Sequence, residues 1–259
     1  MRSSKLISAV TVTLLSSTMA YASSNNGLNH SPTPMIEGSS IGKIHWVAAL
    51  NIGAALAQPG KNQTIQTQTT TSNSYVNDGK LQTNLLAGAF VGIDFPLSPR
   101  FNYQLGLSYN YILPYSLNGQ VKQLNQSQFT SFDYNYKVQS QQLYLESKLV
   151  LNATHHLHPY VSLGLGSAIN NVYDFTPTDR DPTAVYPGIF ANHSMAQFAY
   201  AVGLGADVDL AKHVRIGGGY RFANLGKAEL GAASNFSYNK GLSTSLLTHE
   251  LLINVIYIF

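Results

Sequence analysis

The chain contains no cysteine, few charged residues and no long apolar run beyond its first two dozen residues. The lack of cysteine excludes disulfides and thiolate metal sites. Charged residues make up 10% of the 259, against roughly 25% in ordinary soluble domains. A surface that meets water on every side is hard to build from so little charge. Hydrophobic content is 44%, so Asn, Gln, Ser, Thr, Gly and 16 Tyr take the place of the missing charges. After residue 22 no stretch approaches the ~20 apolar residues that a membrane-crossing helix needs. A closed β-barrel is then the remaining way to cross a bilayer, because backbone polar groups in lipid must pair with one another. The net charge of +3 is too small to argue for a nucleic-acid partner.

The first residues have a different character. Arg2 and Lys5 precede the moderately apolar LISAVTVTLLSS, and Ala20-Tyr21-Ala22 has the small-x-small form of a cleavage site. Residues 1–22 are expected to be a signal peptide removed before Ser23. Residues 23–43, with their Asn, Ser, Pro and Gly, are expected to be a periplasmic lead-in, and residues 44–259 the barrel domain.

From residue 44 onward, eight segments alternate between apolar residues on one parity and small or polar residues on the other. Alternation with period two is the signature of a strand with unlike faces. The cleanest sets Phe101, Tyr103, Leu105, Leu107, Tyr109 and Tyr111 against Asn102, Gln104, Gly106, Ser108 and Asn110. It covers about 33 Å of strand, which at a tilt of roughly 40° projects to about 25 Å, the height of a barrel's apolar band. Its aromatics lie at both ends with leucines between, as interfacial girdles require. The fourth segment, near residues 136–151, loses its alternation above Gln142. A bulge or an extension beyond the membrane is expected there, with ten strands as the alternative count.

A soluble sandwich or lipocalin-like barrel also alternates. It would put its apolar side inward and charge outward, whereas here the polar parity is Gly-rich and almost uncharged. The fold expected is all-β: an eight-stranded antiparallel transmembrane up-and-down β-barrel. Links after strands two, four and six are short, and those after one, three, five and seven are long. Barrels of this kind have short periplasmic turns and long extracellular loops. Both ends of the barrel domain are therefore expected in the periplasm, with no periplasmic domain appended after Phe259.

The last strand places Leu251, Ile253, Val255, Tyr257 and Phe259 on one face. This resembles the C-terminal signal strand of Gram-negative outer-membrane barrels, which typically ends in Phe, and the resemblance implies an insertion signal and an outer-membrane address. The segment GGGYRFANLGKAELG, Gly217 to Gly231, is similar to the seventh strand and exit of OmpA-like and opacity-type small barrels. That family implies porin-like, adhesin or envelope-stabilising surface proteins. The two-domain form's peptidoglycan-binding region is not expected here, which argues against cell-wall anchoring. Expected partners are outer-membrane lipids and lipopolysaccharide, the barrel-assembly machinery, and host or cell-surface ligands reached through the loops.

Inward-facing charges cluster at one height: Glu146 and Lys148 on the fourth strand, Arg221 on the seventh and Glu250 on the eighth. Counting back from the terminus puts Arg221 near a diagonal neighbour of Glu250. A charge in a narrow lumen is costly unless paired, so these four are expected to form an ion-pair network that closes it. His155, His156 and His158 have no carboxylate or cysteine nearby and read as a solvated turn rather than a metal site. Asp174, Asp179 and Asp181 lack a calcium-loop spacing. His193 cannot readily serve Ser194, nor His249 serve Glu250, because adjacent residues of a strand face opposite sides. No catalytic, cofactor or metal constellation is expected. The leading functional reading is a surface structural or interaction protein, adhesin-like or envelope-stabilising. The alternative is a narrow porin-like channel for small solutes.

Overall fold

The structure, a computed structural model, describes residues 43–66, 72–126, 130–154, 156–180, 188–233 and 241–259. The expected signal peptide and all but the last residue of the expected lead-in lie outside them, as do His155 and Asp181. Among the described residues, ten antiparallel strands form one sheet. They are β1 (His45–Ala57), β2 (Gln63–Gln66), β3 (Ser72–Asn77), β4 (Gln82–Ser98), β5 (Phe101–Lys122), β6 (Thr130–Leu151), β7 (Leu157–Asp179), β8 (His193–Ala211), β9 (Val214–Glu229) and β10 (Ser243–Ile258). Eight of them, β1 and β4 to β10, pair in chain order, and β10 returns to β1, so the ring closes.

The other two strands form a hairpin that the sequence pattern assigned to a loop. β4 leaves the wall at Gln82, whose side-chain amide accepts a hydrogen bond from the Ser116 amide at 3.0 Å and donates to the Ser116 carbonyl. Above that point β3 takes over as the neighbour of β5, with Tyr75 opposite Val121. Gln63 of β2 accepts a hydrogen bond from the Ser243 amide at 3.1 Å and donates to the Ser243 carbonyl at 2.5 Å, which ties the hairpin to β10.

The links at the two ends differ as expected, but the long links are shorter than the sequence suggested. β4 and β5 are joined by Pro99 and Arg100, and β8 and β9 by Lys212 and His213. At the opposite, upper end β5 runs for 22 residues, β6 for 22 and β7 for 23, about twice the 9–11 residues that span a bilayer. Much of the sequence expected in loops is therefore strand. The fourth alternating segment does extend upward, and β6 keeps its even residues inward along its described length, from Val150 to Phe132.

Three bulges mark the same transition on other strands. β5 shifts register between Ile112 and Tyr115, where Pro114 has no N–H to give a ladder. β7 shifts at Asp174 and β9 at Gly226, both with positive φ, 58° and 75°. Each bulge exchanges the inward parity. Gln104, Ser108, Asn110 and Ile112 point inward below the β5 bulge, and Tyr115, Leu117 and Val121 above it.

The interior consequently has two zones. The upper one is packed with Phe132, Tyr134, Tyr136, Val138, Phe175, Phe190 and Leu246, all buried. Ring centroids there lie 5.0 Å apart for Phe175–Phe190 and 5.8 Å for Tyr75–Tyr134, within the range of favourable edge contacts. Outside this zone the wall carries Asp133, Asn135, Lys137 and Gln139. Lower down, the outer wall is a band of exposed Leu, Val and Ile, including Leu50, Val91, Leu107, Leu145, Leu163, Val202, Ile253 and Val255. Trp46, Phe95, Tyr103, Tyr257 and Phe259 edge it on the short-turn side. Tyr109, Tyr111, Phe198, Tyr200, Tyr220 and Phe222 edge it on the other.

Candidate functional site

The lower lumen holds the charged groups that the sequence singled out. Glu250 and Arg221 are direct register partners on β10 and β9 rather than diagonal neighbours. Arg221 Nε donates to Glu250 Oε2 at 2.5 Å, and both side chains are buried, at 5% and 0% exposure. The Thr248 hydroxyl donates to the other carboxylate oxygen at 2.9 Å. With both oxygens engaged, the buried carboxylate meets the condition under which such a charge is tolerated.

Lys148 does not join that pair. It reaches across β7 to Asp207 on β8, Nζ to Oδ2 at 2.6 Å, and its ammonium lies 3.7 Å from the centroid of the Tyr160 ring. The ring fits because β8 and β9 carry Gly205 and Gly219 beside it. A Cβ at either position would collide with the Tyr160 hydroxyl. That hydroxyl accepts a hydrogen bond from Asn254 Nδ2 at 3.3 Å. Among the described residues Glu146 has no hydrogen bond or ion pair. It lines a lumen cavity of about 50 Å³ with Lys148, Arg221 and Gln104, space for a few waters. Of the expected four-residue network only Arg221 and Glu250 pair with each other; Lys148 pairs with Asp207 instead, and Glu146 stands apart. Asp207 lies on the inward parity of its strand, two residues before Asp209.

A second polar layer lies at the short-turn mouth. Asp94 accepts from Asn102 at 3.1 Å, Asn102 from Asn152 at 3.2 Å, and Asn152 is hydrogen-bonded to His158 Nδ1 at 3.0 Å. His158 Nε2 meets Asp209 at 2.9 Å, and Arg215 holds the other oxygen of Asp209 at 2.6 Å. His158 therefore turns inward, away from exposed His156, so these two do not share a ligand site. Among the described residues no group of three His, Asp or Glu side chains is placed to hold a metal. Asp174 pairs instead with Lys137 at 3.0 Å, and Asp179 is exposed.

The remaining candidates face outward. Leu251, Ile253, Val255, Tyr257 and Phe259 are between 44% and 63% exposed and continue the apolar band. The Phe259 amide donates to the Trp46 carbonyl at 2.9 Å, where the terminal strand meets β1. His193 bonds to the Glu229 carbonyl at 3.2 Å rather than to Ser194, and His249 to the Tyr220 hydroxyl at 2.6 Å rather than to Glu250.

A model of the outer membrane protein beta-barrel domain matches residues 46–259. The chain belongs to this family. It is an outer-membrane protein, and its apolar band is the surface that meets lipid. Solved structures with a similar fold include Neisserial surface protein A, at 12% identity over 83% of this chain and 97% of that one, TM-score 0.41. OprG from Pseudomonas aeruginosa shares 14% identity over 82% and 95% of the two chains, TM-score 0.44. The outer-membrane protease OmpT from Escherichia coli shares 9% over 83% and 97%, TM-score 0.48. Among curated proteins none matches the sequence.

Proposed function

We propose that this outer-membrane barrel is a non-conducting surface protein of structural or interaction type, whose working part is the wall raised above the membrane and the links it carries. The observation that carries this reading is the filled interior. A solute entering from the short-turn side meets the Asp94–Arg215 layer, then the Lys148–Asp207 and Arg221–Glu250 pairs. Beyond those it meets the aromatic core of the raised wall. Opening such a path would mean separating buried charges and unpacking apolar side chains, and both are costly. A small barrel whose interior is filled by its own side chains offers its outside as the place to act.

The raised wall suits contact with another surface. Its hairpin is anchored at Gln63, its exterior is polar, and exposed ion pairs join neighbouring strands at Lys137–Asp174 and Arg180–Asp133. Links rich in Thr, Asn, Gln and Tyr offer adaptable hydrogen bonds to a host or neighbouring cell surface or to lipopolysaccharide.

Planar-bilayer recording separates this from the channel reading. The expected result is no steady conductance from the wild type. Cells displaying the protein should bind their target surface, and cells displaying a variant shortened above the bulges should not. A large steady wild-type conductance contradicts the proposal.

A further inference from the structure

Among the described residues, basic side chains gather at the short-turn rim. Among the described residues, its exposed ionisable side chains are Lys43, His45, Arg100, His156, Lys212 and His213, all basic, with the His45 ring bonded to the Phe259 main-chain oxygen at 2.9 Å. The carboxylates at this end, Asp94, Asp207 and Asp209, point into the lumen and have partners there. On the raised wall Lys80, Lys137, Arg180 and Lys227 each pair with an Asp or Glu, while Lys61 and Lys122 have no ion pair among the described residues. The rim therefore presents positive charge that no acidic side chain offsets.

Two recesses meet at one point of this rim. The first is a cleft of about 360 Å³ between the β6–β7 and β8–β9 turns, lined by His156, Leu210, Lys212, His213 and Arg215. Asp209 also lines it, but both its oxygens are engaged, by Arg215 and His158. The turns are held together by a hydrogen bond from the Asp209 amide to the His156 carbonyl at 3.0 Å. The His213 ring is fixed on the Ile258 carbonyl at 2.9 Å. The second recess is an apolar groove of about 460 Å³ on the lipid-facing wall. Its row runs from Val91 through Ala48 and Tyr257 to Val214, with Ala89, Leu50 and Val255 beside it. Small Ala48 and Ala89 leave the hollow between larger neighbours. Val214 ends the groove one residue from His213, so the charged cleft and the apolar groove adjoin. Leu210, 72% exposed on the same turn, adds apolar surface.

We propose that this composite recess binds one anionic glycerophospholipid of the periplasmic leaflet, with its phosphate at Lys212 and an acyl chain in the groove over Ala48 and Ala89. A cation at the headgroup level beside an apolar channel is the complement of such a molecule, and a zwitterionic lipid gains less from the same cation. Nearby Trp46, 62% exposed, sits at the depth where aromatic side chains meet headgroups. The site fixes the turn through which β9 enters the membrane, so occupancy would set the depth of the barrel on that side. This inference rests on the barrel spanning the outer membrane with its short turns in the periplasm.

The test is native mass spectrometry of the folded full-length barrel in a zwitterionic detergent. Phosphatidylglycerol and phosphatidylcholine of identical acyl chains are supplied at equal concentration, and inorganic phosphate serves as competitor. The wild type is expected to retain phosphatidylglycerol about fivefold over phosphatidylcholine, the preference of a single cation near a charged surface. Lys212→Glu, or the milder Lys212→Gln, is expected to abolish the preference while leaving lipid retention. Ala48→Phe, which fills the groove, is expected to reduce retention of both lipids. Equal retention of the two lipids by the wild type overturns the proposal, as does a preference that survives both Lys212 substitutions. Displacement of the lipid by inorganic phosphate alone assigns the cleft to free phosphate and also overturns it. A heat-modifiability gel run alongside separates these outcomes from failure of the barrel reading, in which the wild type would show no compact, heat-shifted band.

Discussion

Strand β6 can be divided at Gln142 into two lengths that follow opposite rules. Below it, Leu143, Leu145 and Leu149 point outward, and Tyr144, Glu146 and Lys148 point inward. Above it, Asp133, Asn135, Lys137 and Gln139 point outward, and Phe132, Tyr134, Tyr136 and Val138 inward. The parity never changes, so geometry is not the cause. The solvent outside the wall changes from lipid to water, and the side chains exchange places accordingly. The lower length is built like a membrane barrel and the upper length like a soluble one. One consequence is a difference in what each interior tolerates. The lower lumen depends on charge balance and the upper core on packed volume.

The largest expected effect comes from breaking charge balance below. Glu250→Ala leaves Arg221 buried without its partner and should cost about 3–5 kcal/mol. The urea midpoint of protein refolded into vesicles measures it. Replacing both members, Arg221→Met with Glu250→Leu, should recover most of the loss, because it is the unpaired charge that is expensive. A Glu250→Ala protein as stable as the wild type would break the contrast between the zones.

A second experiment sharpens the contrast on the outer wall. Leu145→Arg places a cation in the middle of the apolar band and should destabilise by about 2–4 kcal/mol. Gln139→Arg, three residue pairs higher on the same face and strand, should change stability by no more than about 0.5 kcal/mol. Equal effects would place both residues in the same solvent.

The upper core supplies the smallest effect, visible only in alkali. Burial raises the Tyr136 phenol, and the neighbouring Tyr134 adds to the shift. Burial likewise raises Tyr134 itself, against a hydrogen bond with Asn77 that lowers it. The form stabilised by folding is the neutral one. Unfolded tyrosine titrates near pH 10, so this contribution is complete below about pH 10. It is lost as pH rises from there toward the higher folded values. Tyrosinate absorbance should therefore show a late phase accompanied by loss of near-ultraviolet dichroism. A single phase near pH 10 with the dichroism intact would contradict it.

The sequence revealed the lower zone far better than the upper. A search for one apolar parity succeeds where lipid lies outside, and it found a stretch of each of the eight ring strands. It stops where the outside becomes water, although Phe132, Tyr134, Tyr136 and Val138 share a parity with Glu146 and Lys148. On β5, β7 and β9 the bulges at Pro114, Asp174 and Gly226 also exchange the faces, which erases any continuous period. The Arg221–Glu250 pair was legible because adjacent strands can be counted back from the terminus. The Lys148–Asp207 pair was not, because it crosses an intervening strand, and reach across a lumen depends on the small residues lining it. The mouth layer from Asp94 to Arg215 escaped notice because it is assembled from single polar residues on five strands and a turn.

The central claim, that one strand changes its surroundings at Gln142 without changing its parity, is tested most directly by a spin-label scan along β6. Labels at positions 137, 139, 141, 143, 145 and 149, in protein reconstituted into vesicles, report collision with oxygen in lipid and with a nickel chelate in water. Oxygen should dominate at 143, 145 and 149 and the chelate at 137 and 139, with the crossover between 141 and 143. Uniform accessibility along the strand, or a crossover displaced to either end, would contradict the account.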